Sequence, residues 1–167
     1  ANALRDRLAS EHRVILLDKR MDYVFSPSLL WVMVGWRRPE RITKDLRRLV
    51  RPGVEITATH VQEIDLDAQT VKTSSGDLAY NYLVVALGSD LAPEAIPGFS
   101  EIAYTPYDLG GSIGLRDALQ RFDGGRVLVL VSSTPYKCPA APYEIALLLD
   151  DYFRRKDIRS RCEMELF

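Results

Sequence analysis

A single cysteine in a loop without glycine is the residue of this 167-residue chain best placed to do chemistry. The loop reads Ser132-Ser133-Thr134-Pro135-Tyr136-Lys137-Cys138-Pro139-Ala140-Ala141-Pro142. A thiolate is the nucleophilic form of cysteine, and a neighbouring ammonium and a helix N-terminus both favour it. Cys138 has Lys137 before it and a helical pattern after it, so an acidic, accessible thiol is expected. The competing reading is a buried structural cysteine, since free cysteines are among the most buried residues.

The loop lies between two patterned stretches. Val127 to Val131 is an aliphatic run of strand type, and Ile145, Leu148, Leu149, Tyr152 and Phe153 recur at the helical period. A strand feeding a helix through a tight loop is half of a βαβ unit. In many such units glycines let backbone N–H groups cradle a pyrophosphate. Here Pro135, Pro139 and Pro142 each remove a donor, and Tyr136 and Lys137 add bulk where a phosphate would approach.

Other candidates are weaker. Asp18 follows the apolar run Arg13 to Leu17, at the strand end where dinucleotide folds grip a ribose hydroxyl; a strand-end Asp is also a common turn former. Gly88 follows the run Tyr82 to Ala86, and a glycine there lets a ligand or backbone come close. Cys162 sits on an alternating stretch, and His12 and His60 are isolated. None of these has metal-ligand spacing, so no metal site is expected.

The elements that must position these residues follow in order. Ala1 to Ser10 reads as the end of a helix with Leu4 and Leu8 on one face, and Arg13 to Leu17 as a central parallel strand. Tyr23 to Trp36 is dense in aromatic and aliphatic residues; it could line a cofactor or lipid surface or simply pack irregularly. Pro39 to Val50 reads as an amphipathic helix with Ile42, Leu46, Leu49 and Val50 inward. Arg37, Arg38, Arg41, Lys44, Arg47, Arg48 and Arg51 form a basic run, expected as a solvated face, with acidic lipid or a partner as the alternative. Gly53 to Ala58 is a short strand. His60 to Leu66 and Thr70 to Thr73 open a small antiparallel meander that turns at Ser75-Gly76-Asp77. Tyr82 to Ala86 reads as a buried strand. Pro93, Pro97 and Gly98 mark a linker, Gly110 to Phe122 holds a helix, and Arg161 to Phe167 is a last strand.

Composition narrows the classes. Apolar residues make up 47% of the chain, enough for a core, and the net charge of −1 gives no reason to expect nucleic acid. Two cysteines cannot form a disulfide framework, and no apolar run is long enough for a membrane span.

Taken in order, RVILLDKR, YVFSPSLL, GDLAYNYLVVALGS, IPGF and YKCPAAPYE resemble the flavin-dependent sulfide:quinone oxidoreductases. The likeness is greater still to the flavoprotein subunits of flavocytochrome c sulfide dehydrogenase. These belong to the two-dinucleotide-domain flavoproteins, together with the type II NADH dehydrogenases and disulfide reductases. The resemblance implies an α/β fold: Rossmann-like parallel sheets plus a small antiparallel meander. It implies an incomplete FAD-binding domain over residues 1–92 and the start of a second Rossmann-like domain over 93–167. Asp18 would bind the adenosine ribose of FAD, Val61 would offer backbone to the adenine, and Ala86 and Gly88 would lie against the cofactor. Ser26 and Pro27 would lie near the flavin. Cys138 would be one of two redox cysteines that handle sulfide or a related sulfur compound, with a quinone or cytochrome as acceptor; the family's setting is peripheral membrane or periplasmic, and a cytoplasmic one stays open.

The chain departs from the family in three places. Leu87 stands where the second flavin motif has threonine. The glycine-rich phosphate loop with its central strand is expected ahead of Ala1, and the second redox cysteine beyond Phe167. An internal fragment is therefore expected, one that does not hold FAD unaided. A type II NADH dehydrogenase is the alternative enzyme, disfavoured by the prolines of the loop. A truncated domain that only folds or binds a partner is the non-enzyme alternative.

Overall fold

The computed structural model describes residues 1–167. The chain gathers into two compact units, 1–24 with 43–90, and 25–42 with 91–167. Parallel and antiparallel strand pairs occur together with helices, so the α/β expectation holds.

In the first unit, β1 (Val14–Asp18) runs parallel to β4 (Val54–Ala58), with Val14 opposite Val54 and Asp18 opposite Ala58. Arg13 clamps Glu55 with two bonds, of 2.8 and 2.7 Å, beside the start of this pair. The helix expected over Ala1 to Ser10 is a single turn, α1 (Asn2–Arg5), and Leu4 and Leu8 are exposed. Polar anchors hold it instead. Asn2 donates from Nδ2 to the Leu49 carbonyl at 2.8 Å and accepts from the Arg51 N–H at 2.9 Å, while Arg5 donates to the carbonyls of Leu8, Ala9 and His12.

The helix expected over Pro39 to Val50 does not form. One turn, α3 (Pro39–Ile42), gives way to β3 (Thr43–Asp45), which pairs antiparallel with β2 (Asp22–Val24). A 3-10 turn, Leu46–Arg48, follows. The apolar spacing is present, but Asp45 interrupts it. Its Oδ1 accepts the Arg47 N–H at 3.0 Å, and the Leu46 N–H is drawn to the Met21 carbonyl at 2.7 Å. Aspartate favours such caps over helix interiors, so a cap and a strand pairing take the bonds a helix would use.

The meander is present as β5 (Val61–Asp65), β6 (Thr70–Thr73) and β7 (Leu78–Ala79). Its second turn places Gly76 at φ +116°, where a side chain would be strained, and Thr73 Oγ1 donates to the Gly76 carbonyl at 2.7 Å. The strand expected over Tyr82 to Ala86 is not formed. Tyr82 is 94% exposed and Val84 74%. A strand exists by pairing its backbone with a neighbour, and no strand of this chain runs beside that run.

The second unit is built around α2 (Leu29–Met33), α5 (Leu109–Arg121) and α6 (Ala141–Arg155), with a short α4 (Phe99–Ile102). Strands β8 (Gly125–Val129) and β9 (Cys162–Leu166) are parallel and are joined through α6, completing a βαβ unit. The apolar face read from the sequence is the face that packs. Ile145, Leu149 and Phe153 are buried with Leu30, Met33, Val34, Leu119 and Val129, while Leu148 and Tyr152 flank them. Phe153 has no exposed surface, and its ring lies 5.4 Å from that of Phe122. Within the segment Tyr23 to Trp36, α2 packs, with Val32 and Met33 fully buried, while Tyr23, Phe25 and Trp36 are exposed.

Candidate functional site

Strand β8 and helix α6 deliver the loop read from the sequence. Cys138 is exposed and free, whereas Cys162 is buried, with Sγ 3.2 Å from the Ile158 carbonyl that accepts from it. The structural reading of a buried cysteine therefore fits Cys162 and not Cys138. Cys138 has φ +56°, the left-handed region, and its carbonyl accepts the Ala141 N–H at 3.0 Å, leading directly into α6. Pro142 occupies the first turn of α6, where its missing donor costs nothing.

One residue at this site escaped the sequence reading. Tyr107 donates its hydroxyl to the Lys137 carbonyl at 2.6 Å, from 30 positions away. Burial first, then the nearby charge of Cys138 and of Tyr136, hold the Tyr107 phenol above its ordinary range. It is thus a neutral donor at physiological pH. No motif announces it, because a tyrosine ahead of a helix cap has many ordinary roles.

Asp18 and Val61, two of the cofactor candidates of the first unit, lie near one end of the β1–β4 pair. Asp18 closes β1; its Oδ1 accepts the Arg20 N–H at 2.9 Å and its carbonyl accepts the Thr59 N–H at 2.9 Å. Val61 begins β5 three positions beyond Ala58, the partner of Asp18. Ala86 and Gly88 are exposed, with Gly88 at φ +72°, and an ion pair of 3.9 Å between Lys19 and Asp90 ties the following residues to the end of β1. In the second unit, Ser26 and Pro27 are exposed in a 3-10 turn, Ser26–Ser28. That turn is held by buried Ser28, whose Oγ accepts from Arg37 at 2.6 Å, while the Arg37 guanidinium lies 4.0 Å over the Trp31 ring.

Two shallow depressions lie elsewhere. One of about 490 Å3 is lined by Arg154, Asp157, Arg159 and Ser160, and one of about 330 Å3 by residues of β2, β3 and the turn after it. Their guanidinium groups are already engaged, Arg154 and Arg159 by Asp150 and Arg47 by Asp45. They are surface relief between ion pairs.

Known proteins point the same way. The family "Sulfide dehydrogenase [flavocytochrome c] flavoprotein chain, central" matches residues 113–164, which contain the Cys138 loop. The mitochondrial sulfide:quinone oxidoreductase of Mus musculus is 28% identical over 98% of this chain and 38% of its own length. This chain is similar to the sulfide:quinone oxidoreductases. The sulfide-quinone reductase of Aquifex aeolicus is also 28% identical, over 94% of this chain and 37% of its own. The crystal structure of the sulfide:quinone oxidoreductase from Aquifex aeolicus superposes with a TM-score of 0.82 at 27% identity, covering 92% of this chain and 36% of that one. The chain thus spans less than two fifths of the length of each of these relatives.

The family matched over residues 113–164 is one of flavoproteins, and the residues present fit part of an FAD. The second carboxylate oxygen of Asp18 makes no hydrogen bond within the chain and is chemically suited to a ribose hydroxyl. The pyrophosphate finds no such provision among the described residues. Strand β1 leads to β2 and not to a helix, and β8 leads into the proline-bearing loop.

Proposed function

We propose that this chain forms part of an FAD-dependent oxidoreductase that oxidises sulfide, or a similar small sulfur compound, and passes the electrons to a quinone. The observation that carries the reading is the exposed Cys138 in a glycine-free loop between β8 and α6, inside the family-matched residues. A cytochrome acceptor and a peripheral membrane contact are the finer parts of the same proposal. No helix is long and apolar enough to cross a membrane.

The chemistry needs a sulfur that can be attacked and can leave. Cys138, paired as a disulfide with a second thiol other than Cys162, accepts attack by hydrosulfide. The S–S bond breaks and a new one forms: one cysteine becomes a persulfide whose outer sulfur has lost two electrons, and the other leaves as a thiolate carrying that pair. FAD, when bound, would accept that pair once the persulfide has passed its outer sulfur to a second thiol or hydrosulfide and the two cysteines close their disulfide again. Asp18 and Val61 would hold the adenosine side, Ala86 and Gly88 would lie against the cofactor, and Ser26 and Pro27 would border the flavin. Cys162 is unsuited to the exchange because it is buried on β9 and donates to a backbone carbonyl. The prolines of the loop weigh against nicotinamide dinucleotide as reductant, since they withhold N–H groups from a phosphate.

The test is Cys138→Ser in the flavin-loaded protein that carries this chain. Sulfide should cease to bleach the flavin while flavin content is unchanged. Bleaching by NADH and not by sulfide would replace this reading with the dehydrogenase alternative.

A further inference from the structure

We propose that Tyr107 is the positioning residue of the Cys138 loop: its hydroxyl, carried on a turn locked to α5, clamps the Lys137 carbonyl and so fixes the peptide that presents the cysteine. The inference rests on the reading of Cys138 given above and names a second residue for it.

The turn Thr105–Asp108 is locked from several directions. Gly111 has no side chain, and a Cβ there would stand 1.9 Å from the Thr105 carbonyl oxygen, so backbone lies directly against helix. Ser112 is fully buried, and its Oγ donates to the Pro106 carbonyl at 3.2 Å. Asp108 caps α5 by accepting the Gly111 N–H at 2.7 Å. The ring of Tyr107 itself packs against the hydrophobic core. Its hydroxyl therefore projects from a rigid post.

The loop it reaches is the opposite in character. Residues 132–140 have no regular structure, and the Tyr107 bond is the one hydrogen bond that reaches them from outside the loop and α6. The bonded carbonyl belongs to the peptide whose nitrogen is that of Cys138. A non-glycine residue at φ +56° persists only where its surroundings hold it there. Raised above its usual range by burial first, the phenol keeps its proton and remains a donor. Phenylalanine at position 107 would keep the packing and lose the clamp alone.

A methanethiosulfonate nitroxide attached to the 167-residue chain tests this, because Cys138 is exposed and Cys162 buried. In the wild type the label should show a dominant immobilised component in its paramagnetic resonance spectrum. Tyr107→Phe should shift the immobilised-to-mobile ratio by about fivefold, as expected for loss of one hydrogen bond, with the thermal melt of the helices little changed. An unchanged ratio in Tyr107→Phe overturns the proposal. So does a fully mobile wild-type label, which needs no variant to be folded. Iodoacetamide alkylation of the unlabelled chain gives a second readout: equal Cys138 rates in both proteins also count against the clamp. These outcomes are separate from the functional reading. If sulfide bleaches the flavin of Cys138→Ser normally while the label behaves as expected, the reaction assignment fails and the clamp stands.

Discussion

Gly111→Ala is a one-atom test of how the turn carrying Tyr107 is held. The added Cβ would lie 1.9 Å from the Thr105 carbonyl oxygen and 3.0 Å from its carbon, and both are backbone atoms that cannot rotate aside. Either α5 or the turn must move. Overpacking of this kind costs about 1–3 kcal/mol, and the backbone identity of the obstacle puts the expectation at the upper end. Alanine's advantage over glycine in a helix returns at most about 1 kcal/mol, and less in a first turn. A net loss of about 2 kcal/mol corresponds to a melting point lower by roughly 4–8 °C for a chain of this size. Gly114 on the same helix is the control. A Cβ there meets only the Tyr104 ring at 3.5 Å, an ordinary contact, so Gly114→Ala should be neutral or raise the melting point. Circular dichroism melts of the three proteins decide the matter. Equal melting of Gly111→Ala and wild type, or an equal drop in both variants, would refute the reasoning.

Other expectations follow from the ion pairs, the helix ends and the clamp. Lys156 donates from Nζ to the carbonyls of Leu119, Gln120 and Phe122 at 3.0, 2.8 and 2.6 Å, tying the end of α6 to the end of α5. Lys156→Met should destabilise by about 2 kcal/mol in urea denaturation, since a charged donor and the favourable cation at a helix C-terminus are lost together. Asp150 is held below the usual carboxylate range by hydrogen bonds from Arg154 and then Arg159. Because its folded pKa is lowered, its contribution is present above the ordinary carboxylate pKa and is lost as pH falls through the folded one. Asp150→Asn should therefore melt below wild type at neutral pH, with the gap closing in acid. Tyr107→Phe should loosen the Cys138 loop without a matching loss of helix stability, as the spin-label spectra would report.

Much of the second unit was legible because its signals are local and agree with one another. The helical period of Ile145, Leu149 and Phe153 marks the face that packs, the prolines and Cys138 mark the loop, and the glycines at 124 and 125 turn into β8. The meander was legible through its turn residues. The helix expected over Pro39 to Val50 misled because apolar spacing alone does not reveal where a side chain will capture backbone, as Asp45 does. The strand expected over Tyr82 to Ala86 misled for a different reason: β-branched composition describes a residue's preference, while strand formation needs a partner. Of the candidate site, Cys138 and Asp18 could be picked out by residue type and place. Tyr107 could not, because its role depends on a contact 30 positions away that only the folded turn creates.

The central claim is that Cys138 handles sulfur. It is tested most directly by stopped-flow absorbance of the flavin after mixing sulfide with the flavin-loaded protein that carries this chain, as wild type, Cys138→Ser and Cys162→Ser. Cys138→Ser should keep its flavin and lose sulfide-dependent bleaching by orders of magnitude, because a serine hydroxyl cannot form a persulfide. Cys162→Ser should bleach at close to the wild-type rate. Bleaching of Cys138→Ser as fast as wild type would contradict the claim and reduce Cys138 to a bystander.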